Sequence, residues 1–460
     1  MTALPTFLPR AVLTGLLATL SATFSATALA AIPIEHWTQP SGARVYLVQS
    51  PSIPMLDVQI DFDGGSRREP ARQAGLASAT AGLLSGGVAA QGGQPALDEN
   101  ALSEAWVDLG AQFGASAGSD RFTLQLRTLT QPDLLERAVA LAARQMAAPA
   151  WPQSVWQRDR ERMLAALQQA ETRPATLAAR TFSRSVFGDH PYGHQPTADS
   201  YRAIDIDDMR SFYRRHAAAC RAQVTLVGAI DRPMAERIAQ RLLQAIEPNG
   251  CQPLPAVAEV APLQAGVERW LPFAGAAQAQ VLIGQPGIAR NDPDFFPLFV
   301  GNYILGGGGF VSRLTTEVRE KRGLSYSVYS YFSPGRHAGP FQIGLTTRPD
   351  QARQAVQVAR DVVQRFVQDG PTDDELQAAK AFLVNGFGLR IDSNRKLLDN
   401  VANIAWSGLP LDYLDTWTGQ INRVTRADIQ RAFARVVQPD RMATVVVGVP
   451  ADAPQASVAR

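Results

Sequence analysis

Lysine is nearly absent from this chain of 460 residues: only Lys321, Lys380 and Lys396 occur, and arginine supplies the rest of the 44 basic side chains. Set against 42 acidic residues, they leave a formal net charge of +2, so there is no basic footprint for nucleic acid and gross charge does not choose a partner. Charged residues make up 19% of the chain and hydrophobic ones 46%, a balance that excludes disorder. Past the N-terminal thirty residues no stretch could span a bilayer. Histidine is scarce, five in all, so a His-based metal site can be audited residue by residue. His36 lies near the start of the chain, His216 reads as lying on the polar face of a helix, and His337 falls in the loop SPGRHAGP. His190 and His194 form HPYGH, but Pro191 forbids a regular helix through the motif, so the two rings need not converge. A serine nucleophile is not read either, for want of an elbow turn with a histidine partner.

The first thirty residues carry Arg10, an apolar run diluted by Ser and Thr, and Ala28-Leu29-Ala30, the small-x-small pattern a signal peptidase needs. A signal peptide over 1–30, cleaved after Ala30, would deliver the chain to the periplasm or beyond it, with no stable membrane span left behind. An oxidising compartment permits Cys220 and Cys251, the only cysteines, to pair, but two free thiols remain the alternative.

The chain repeats itself. DMRSFYRRHAAACRAQVTLVG (208–228) and DIQRAFARVVQPDRMATVVVG (428–448) align without a gap, and a strand, Pro-Asp turn and helix recur at a second, similar offset. Strands interrupted by blocks of helix favour two duplicated α+β domains, each a mixed, mainly antiparallel sheet with helices on one face. The stretch 247–266, with four prolines and two glycines, reads as a linker. It separates a domain at 31–246 from one at 267–449, with a frayed tail at 450–460.

Two glycine-bounded segments stand out. GLASATAGLLSGG (75–87) has helical spacing but no side chain larger than leucine and none that can be charged. GNYILGGGGF (301–310) lacks the Lys-Ser/Thr of a phosphate-binding loop and reads as a flexible loop that allows close backbone approach. It leads into SRLTTEVREKRGLSYSVYSYF, where a short helix bearing Arg319 turns at Gly323 into a strand starting near Tyr326. A guanidinium and a phenol at one mouth can donate to a carbonyl and to a developing oxyanion; the plainer reading is a surface arginine and a half-buried tyrosine.

The order GGG-x-x-SRL-x-x-EVREKRGLSYSVYS, the duplication, HPYG and VTLVGAID resemble the insulinase/pitrilysin family of zinc peptidases over nearly the whole mature chain, in particular its short bacterial two-domain members and the mitochondrial processing peptidase subunits. The resemblance implies an inverted H-x-x-E-H on the helix opened by Gly75-Leu76-Ala77. At the positions that should hold the two ligands and the base this chain has Ser78, Ala81 and Gly82, and Ala166 stands where a glutamate should supply the third ligand; Glu161 and Glu171 are misplaced for that task. This chain is thus expected to bind no metal, and its bare helix to pack tightly against the helix of Ala165 and Ala166, closing the void.

The resemblance also assigns Arg319 and Tyr326 to contacts with the peptide backbone and the attacked carbonyl. The implied protein is the zinc-free subunit of a heterodimeric peptidase. It would hold unfolded peptide and complete the site of a paralogous H-x-x-E-H-bearing partner, which carries the zinc. Two rival readings are a peptide-binding or assembly protein with no protease role, and a stand-alone hydrolase with a metal on HPYGH and Asp189.

Overall fold

The computed structural model describes residues 32–244, 246 and 251–449. The signal peptide expected over 1–30 and the tail at 450–460 lie outside the described residues. In the N-terminal half the strands are β1 (Glu35–Thr38), β2 (Arg44–Gln49), β3 (Met55–Asp63), a small hairpin of β4 (Gly87–Val88) and β5 (Leu97–Asp98), then β6 (Gln112–Ala117), β7 (Arg121–Leu129) and β8 (Gln223–Gly228). The C-terminal half has β9 (Val267–Pro272), β10 (Ala279–Pro286), β11 (Val328–Phe332), β12 (Pro340–Thr347) and β13 (Ala443–Val449). The large sheets are ordered β1-β2-β8-β3-β7-β6 and β11-β12-β10-β13-β9. Setting β1 aside, the two orders are the same: first strand, last, second, fourth, third. In each the first and last strands are parallel and all other neighbours antiparallel.

The N-terminal helices are α1 (Leu76–Leu83), α2 (Glu99–Asp108), α3 (Pro132–Ala147), α4 (Gln153–Glu171), α5 (Pro174–Phe187), α6 (Ala198–Arg202), α7 (Ile206–His216) and α8 (Arg232–Gln244). The C-terminal ones are α9 (Phe295–Asn302), α10 (Ala352–Asp369), α11 (Asp373–Asn385), α12 (Asn394–Ser407), α13 (Tyr413–Arg423) and α14 (Arg426–Val436). The repeat seen in the sequence is physical at α7 and α14. Each opens on a capping box, Asp205 with Asp208 and Thr425 with Asp428, in which the two side chains satisfy each other's backbone N–H. Each then buries one apolar face and runs on to the last strand of its sheet.

Both faces of each sheet are covered, and the second cover is exchanged. Strand alternation on β2 sends Val45 and Leu47 into the N-terminal core, while Tyr46 and Val48 join the core of the C-terminal half beneath α12. On β13, Val446 faces its own core, whereas Ala443, Val445 and Val447 meet Ala178, Phe182 and Val186 of α5. Thus α5 of the first half lies on the second sheet and α12 of the second half on the first. Gly284 of β10 is required here: a Cβ would stand 2.9 Å from the Phe182 ring and 2.0 Å from the Phe341 carbonyl oxygen. The helices-on-one-face expectation therefore holds within each half and is completed by a swap that a local reading of sequence does not reveal.

Residues 251–263 run as an extended strap. Cys220 and Cys251 are joined, with Cα atoms 6.2 Å apart. Arg221 donates to the Gln252 carbonyl at 2.9 Å, and Val260 is buried. A polar clasp also links the halves: Asp120 accepts from Arg67 Nε (2.9 Å), the Tyr192 hydroxyl (2.6 Å) and the backbone N–H of Arg336 (2.9 Å). Strand β9 escapes the sequence reading because VERWLP mixes charge with aromatics and leaves no clean alternation.

Candidate functional site

Helix α1 is held from its first residue. Gly75 takes φ +103°, and the Glu69 carboxylate accepts from the N–H of Gly75 (2.8 Å) and of Ala77 (2.6 Å), satisfying donors that a helix start leaves free. Burial lifts the Glu69 carboxyl to about 7, against the two N–H donors that favour its ionised form. Leu76, Ala77, Ala79, Thr80, Ala81 and Leu83 are buried, and the helix packs on α7 and β6.

Ser78 and Gly82, one turn apart, face solvent. A Cβ at Gly82 would meet nothing within 4 Å, and Ala165 and Ala166 on α4 are exposed as well. The expected closure of α1 onto α4 is therefore overturned. Only Trp156 of α4 is buried, so that helix lacks the apolar stripe that would draw it onto α1, while α7 and β6 fix α1 from behind. Ser78, Ala81, Gly82 and Ala166 do not fit a zinc ion: one hydroxyl and three groups with no donor atom replace imidazole and carboxylate.

The other histidines form no substitute. His190 Nδ1 accepts from the Tyr192 N–H (3.1 Å) and its Nε2 lies 3.0 Å from the Ala258 carbonyl oxygen, so both nitrogens are occupied. His216, expected on a polar face, is instead 5% exposed; Nδ1 sits 2.9 Å from the Asp63 carbonyl oxygen, and burial holds the ring's pKa down to about 4. Among the described residues no group of three or more His, Cys, Asp or Glu is placed to hold a metal ion. A serine pattern that escaped the sequence reading, Gly114-Ala115-Ser116-Ala117-Gly118, has G-x-S-x-G spacing. It lies along β6 and not at a strand-to-helix elbow, so it builds no nucleophile.

The glycine run at 306–309 is wound, not loose. Helix α9 continues into a π-helical turn at Tyr303–Gly307 and a 3-10 turn at Gly309–Val311. Gly306 permits this, since a Cβ would stand 2.4 Å from Ser330 Oγ on β11. A second π-helical turn, Thr315–Glu320, carries Arg319. Val318 and Leu324 anchor it in the core, with the Leu324 N–H donating to the Val318 carbonyl at 2.9 Å across Gly323, which takes φ +60°.

Glu317 binds Lys321 (2.7 Å) and Arg322 (2.6 Å), so neither competes with Arg319, whose guanidinium lies 4.6 Å over the exposed Phe310 ring. Tyr326 is 82% exposed, and β11 begins two residues after it, at Val328. Among the described residues no hydrogen bond or ring contact joins Arg319 to Tyr326. Tyr329 and Tyr331 stack at 5.9 Å on β11, the edge strand of its sheet. Strand β6 is the edge of the other sheet, and its Ser116 borders a cavity of about 800 Å³ between the halves, together with Thr123, Gln125, Tyr192, Asp399 and Asn403.

Two duplicated domains of this topology, with helix α1 beside a free sheet edge, define a peptidase-like fold. The chain belongs to the M16 peptidase family, the insulinase/pitrilysin group. The family model described as the peptidase M16 inactive domain matches residues 203–383. A crystal structure of a peptidase M16 inactive domain from Pseudomonas fluorescens is 32% identical, with a TM-score of 0.84 over 91% of this chain and 98% of that one. An uncharacterized zinc protease of Streptomyces coelicolor is 29% identical, over 90% of this chain and 89% of its own. The non-peptidase homolog YmxG of Helicobacter pylori is 26% identical, over 82% and 85%. Among the described residues no helix is long and apolar enough to cross a membrane.

Proposed function

We propose that this chain is the zinc-free subunit of an exported, heterodimeric M16 metallopeptidase. It holds unfolded peptide and presents Arg319 and Tyr326 to the site of a partner that carries H-x-x-E-H and the zinc. The observation that carries this reading is the 82% exposure of Tyr326, seven residues beyond an arginine that no carboxylate claims among the described residues. Tyrosine and arginine are the side chains that binding interfaces favour as anchors, which supports a partner-facing role for this pair. The exposed edge of β6, built from Gly114, Ala115, Ser116 and Ala117, has small side chains that let a peptide strand approach. Export, by way of the apolar leader, agrees with the paired cysteines.

Mixing the chain with an H-x-x-E-H paralogue encoded beside it should yield peptide cleavage that neither chain shows alone. Arg319→Ala or Tyr326→Phe should then lower kcat/KM by about 10²–10³ while the two chains still co-purify. Unchanged cleavage by a mixture carrying both substitutions would favour the alternative, a peptide-binding or assembly protein with no role in proteolysis.

A further inference from the structure

A second cavity, of about 340 Å³, opens where the two halves and the strap meet. Its wall carries three guanidiniums against one carboxylate. Arg44 comes from the start of β2, Arg290 from the segment after β10, and Arg336 from the loop between β11 and β12. Among the described residues none of these guanidiniums is paired with a carboxylate. Arg290 spends one N–H on the Tyr413 hydroxyl (2.7 Å) and lies 3.9 Å over the Phe295 ring, while Arg336 lies 5.7 Å over Trp406.

The Trp406 indole N–H, which can only donate, is buried and has no acceptor. His337 is 6% exposed; its Nδ1 is 3.0 Å from Glu259 Oε1, the one carboxylate on this wall, and its Nε2 has no partner. Two carbonyls near the end of α12 are already used. Gly408 in the left-handed conformation donates to the Ala405 carbonyl, and Leu409 donates to that of Ile404. Three cations, a buried N–H without an acceptor and a single carboxylate leave a site whose missing element is an anion with several acceptor oxygens.

We infer that this cavity binds an oxyanion, either a carboxylate such as the free C-terminus of a peptide or an inorganic phosphate. Arg44, Arg336 and the Trp406 N–H supply the primary donors. The occupant bridges β2 of the first half to three segments of the second, so binding raises the thermal stability of the whole chain by mass action. The site lies apart from Arg319 and Tyr326 and is tested on this chain alone, so its outcome does not depend on any partner.

The experiment is calorimetric titration and thermal melting of the full chain with three probes: inorganic phosphate, a hexapeptide with a free C-terminal carboxylate, and the same peptide as its C-terminal amide. Phosphate or the peptide acid should bind at millimolar concentration or below and raise the melting temperature, and the amide should do neither. Saturation by the acid alone assigns a peptide terminus, by phosphate alone a free anion; either supports the inference. Arg44→Gln and Arg336→Gln alter exposed side chains and should leave the unliganded melting temperature in place while weakening binding about tenfold each. Trp406→Phe keeps most of the ring's packing and should weaken it about threefold to tenfold. No binding of phosphate or acid up to about 10 mM, equal binding of acid and amide, or affinity unmoved by both arginine substitutions would overturn the assignment.

Discussion

The two halves share a sheet order and differ in how they close on each other. Where α5 crosses the second sheet the contact is dry: Ala178, Phe182 and Val186 meet Ala443, Val445 and Val447. Where α12 crosses the first sheet the contact is mixed: Tyr46, Val48 and Val227 pack beneath it, and a polar margin runs beside them. Arg395 donates to Gln125 (2.9 Å), Arg121 to Asn403 (3.0 Å) and Ser50 to Asn394 (2.8 Å), over a sheet face where buried Asp57 and Asp61 pair with the partly exposed Arg127 and Arg121. One topological position is thus wholly apolar in one half and carries a polar margin in the other. The dry contact excludes water and fixes the halves, whereas the polar margin lines the cavity of about 800 Å³.

The contrast can be broken most sharply at its dry side. Phe182→Ala should cost about 3–5 kcal/mol of unfolding free energy, measured by chemical denaturation. Asn403→Ala, on the wet side, should cost no more than about 1 kcal/mol. Equal losses at the two sites would mean that the swap is not asymmetric in energy.

The disulfide ties the strap to the first half. Cys220→Ser opens a link across 31 residues and should cost about 3–4 kcal/mol, an effect that wild-type protein in reductant should reproduce.

Titration separates the halves next, through two buried groups of the first. His216, at about 4 when folded and 6.5 ordinarily, contributes stability above pH 6.5 that is lost as pH falls toward 4. Glu69, at about 7 when folded and 4.5 ordinarily, runs the other way, its contribution full below pH 4.5 and lost as pH rises through 7. Glu69→Gln removes the second trend. Between pH 4.5 and 6.5 the variant's stability should therefore rise relative to wild type by about 2 kcal/mol; parallel pH profiles would show that the Glu69 carboxyl is not perturbed.

The smallest effect tests the duplication itself. Asp205→Ala and Thr425→Ala, at matching capping boxes, should each lower stability by about 1 kcal/mol in urea denaturation. A loss at one and not the other would show that the repeated motif no longer does the same work in both halves.

Much of this was legible because it is local. Repeated helix-to-strand segments carry their caps and alternation wherever they sit, so the duplication and the α+β class follow from them. Side-chain chemistry is equally legible: Ser78, Ala81, Gly82 and Ala166 offer neither imidazole nor carboxylate, whatever surrounds them. His216 misled because the charged Arg214 and Arg215 beside it suggest a solvent face, while its own ring turns inward under Gly64 and meets Asp63.

What the sequence by itself determined is the inventory: two like halves, no metal ligands at the expected helix, an arginine and a tyrosine seven residues apart, and two cysteines. Tertiary structure alone decided that the vacated helix stays open, that the halves exchange α5 and α12, and that three arginines from distant segments line one cavity. Those outcomes depend on which faces lose water together, and that is a property of surfaces brought into contact from far apart in the chain.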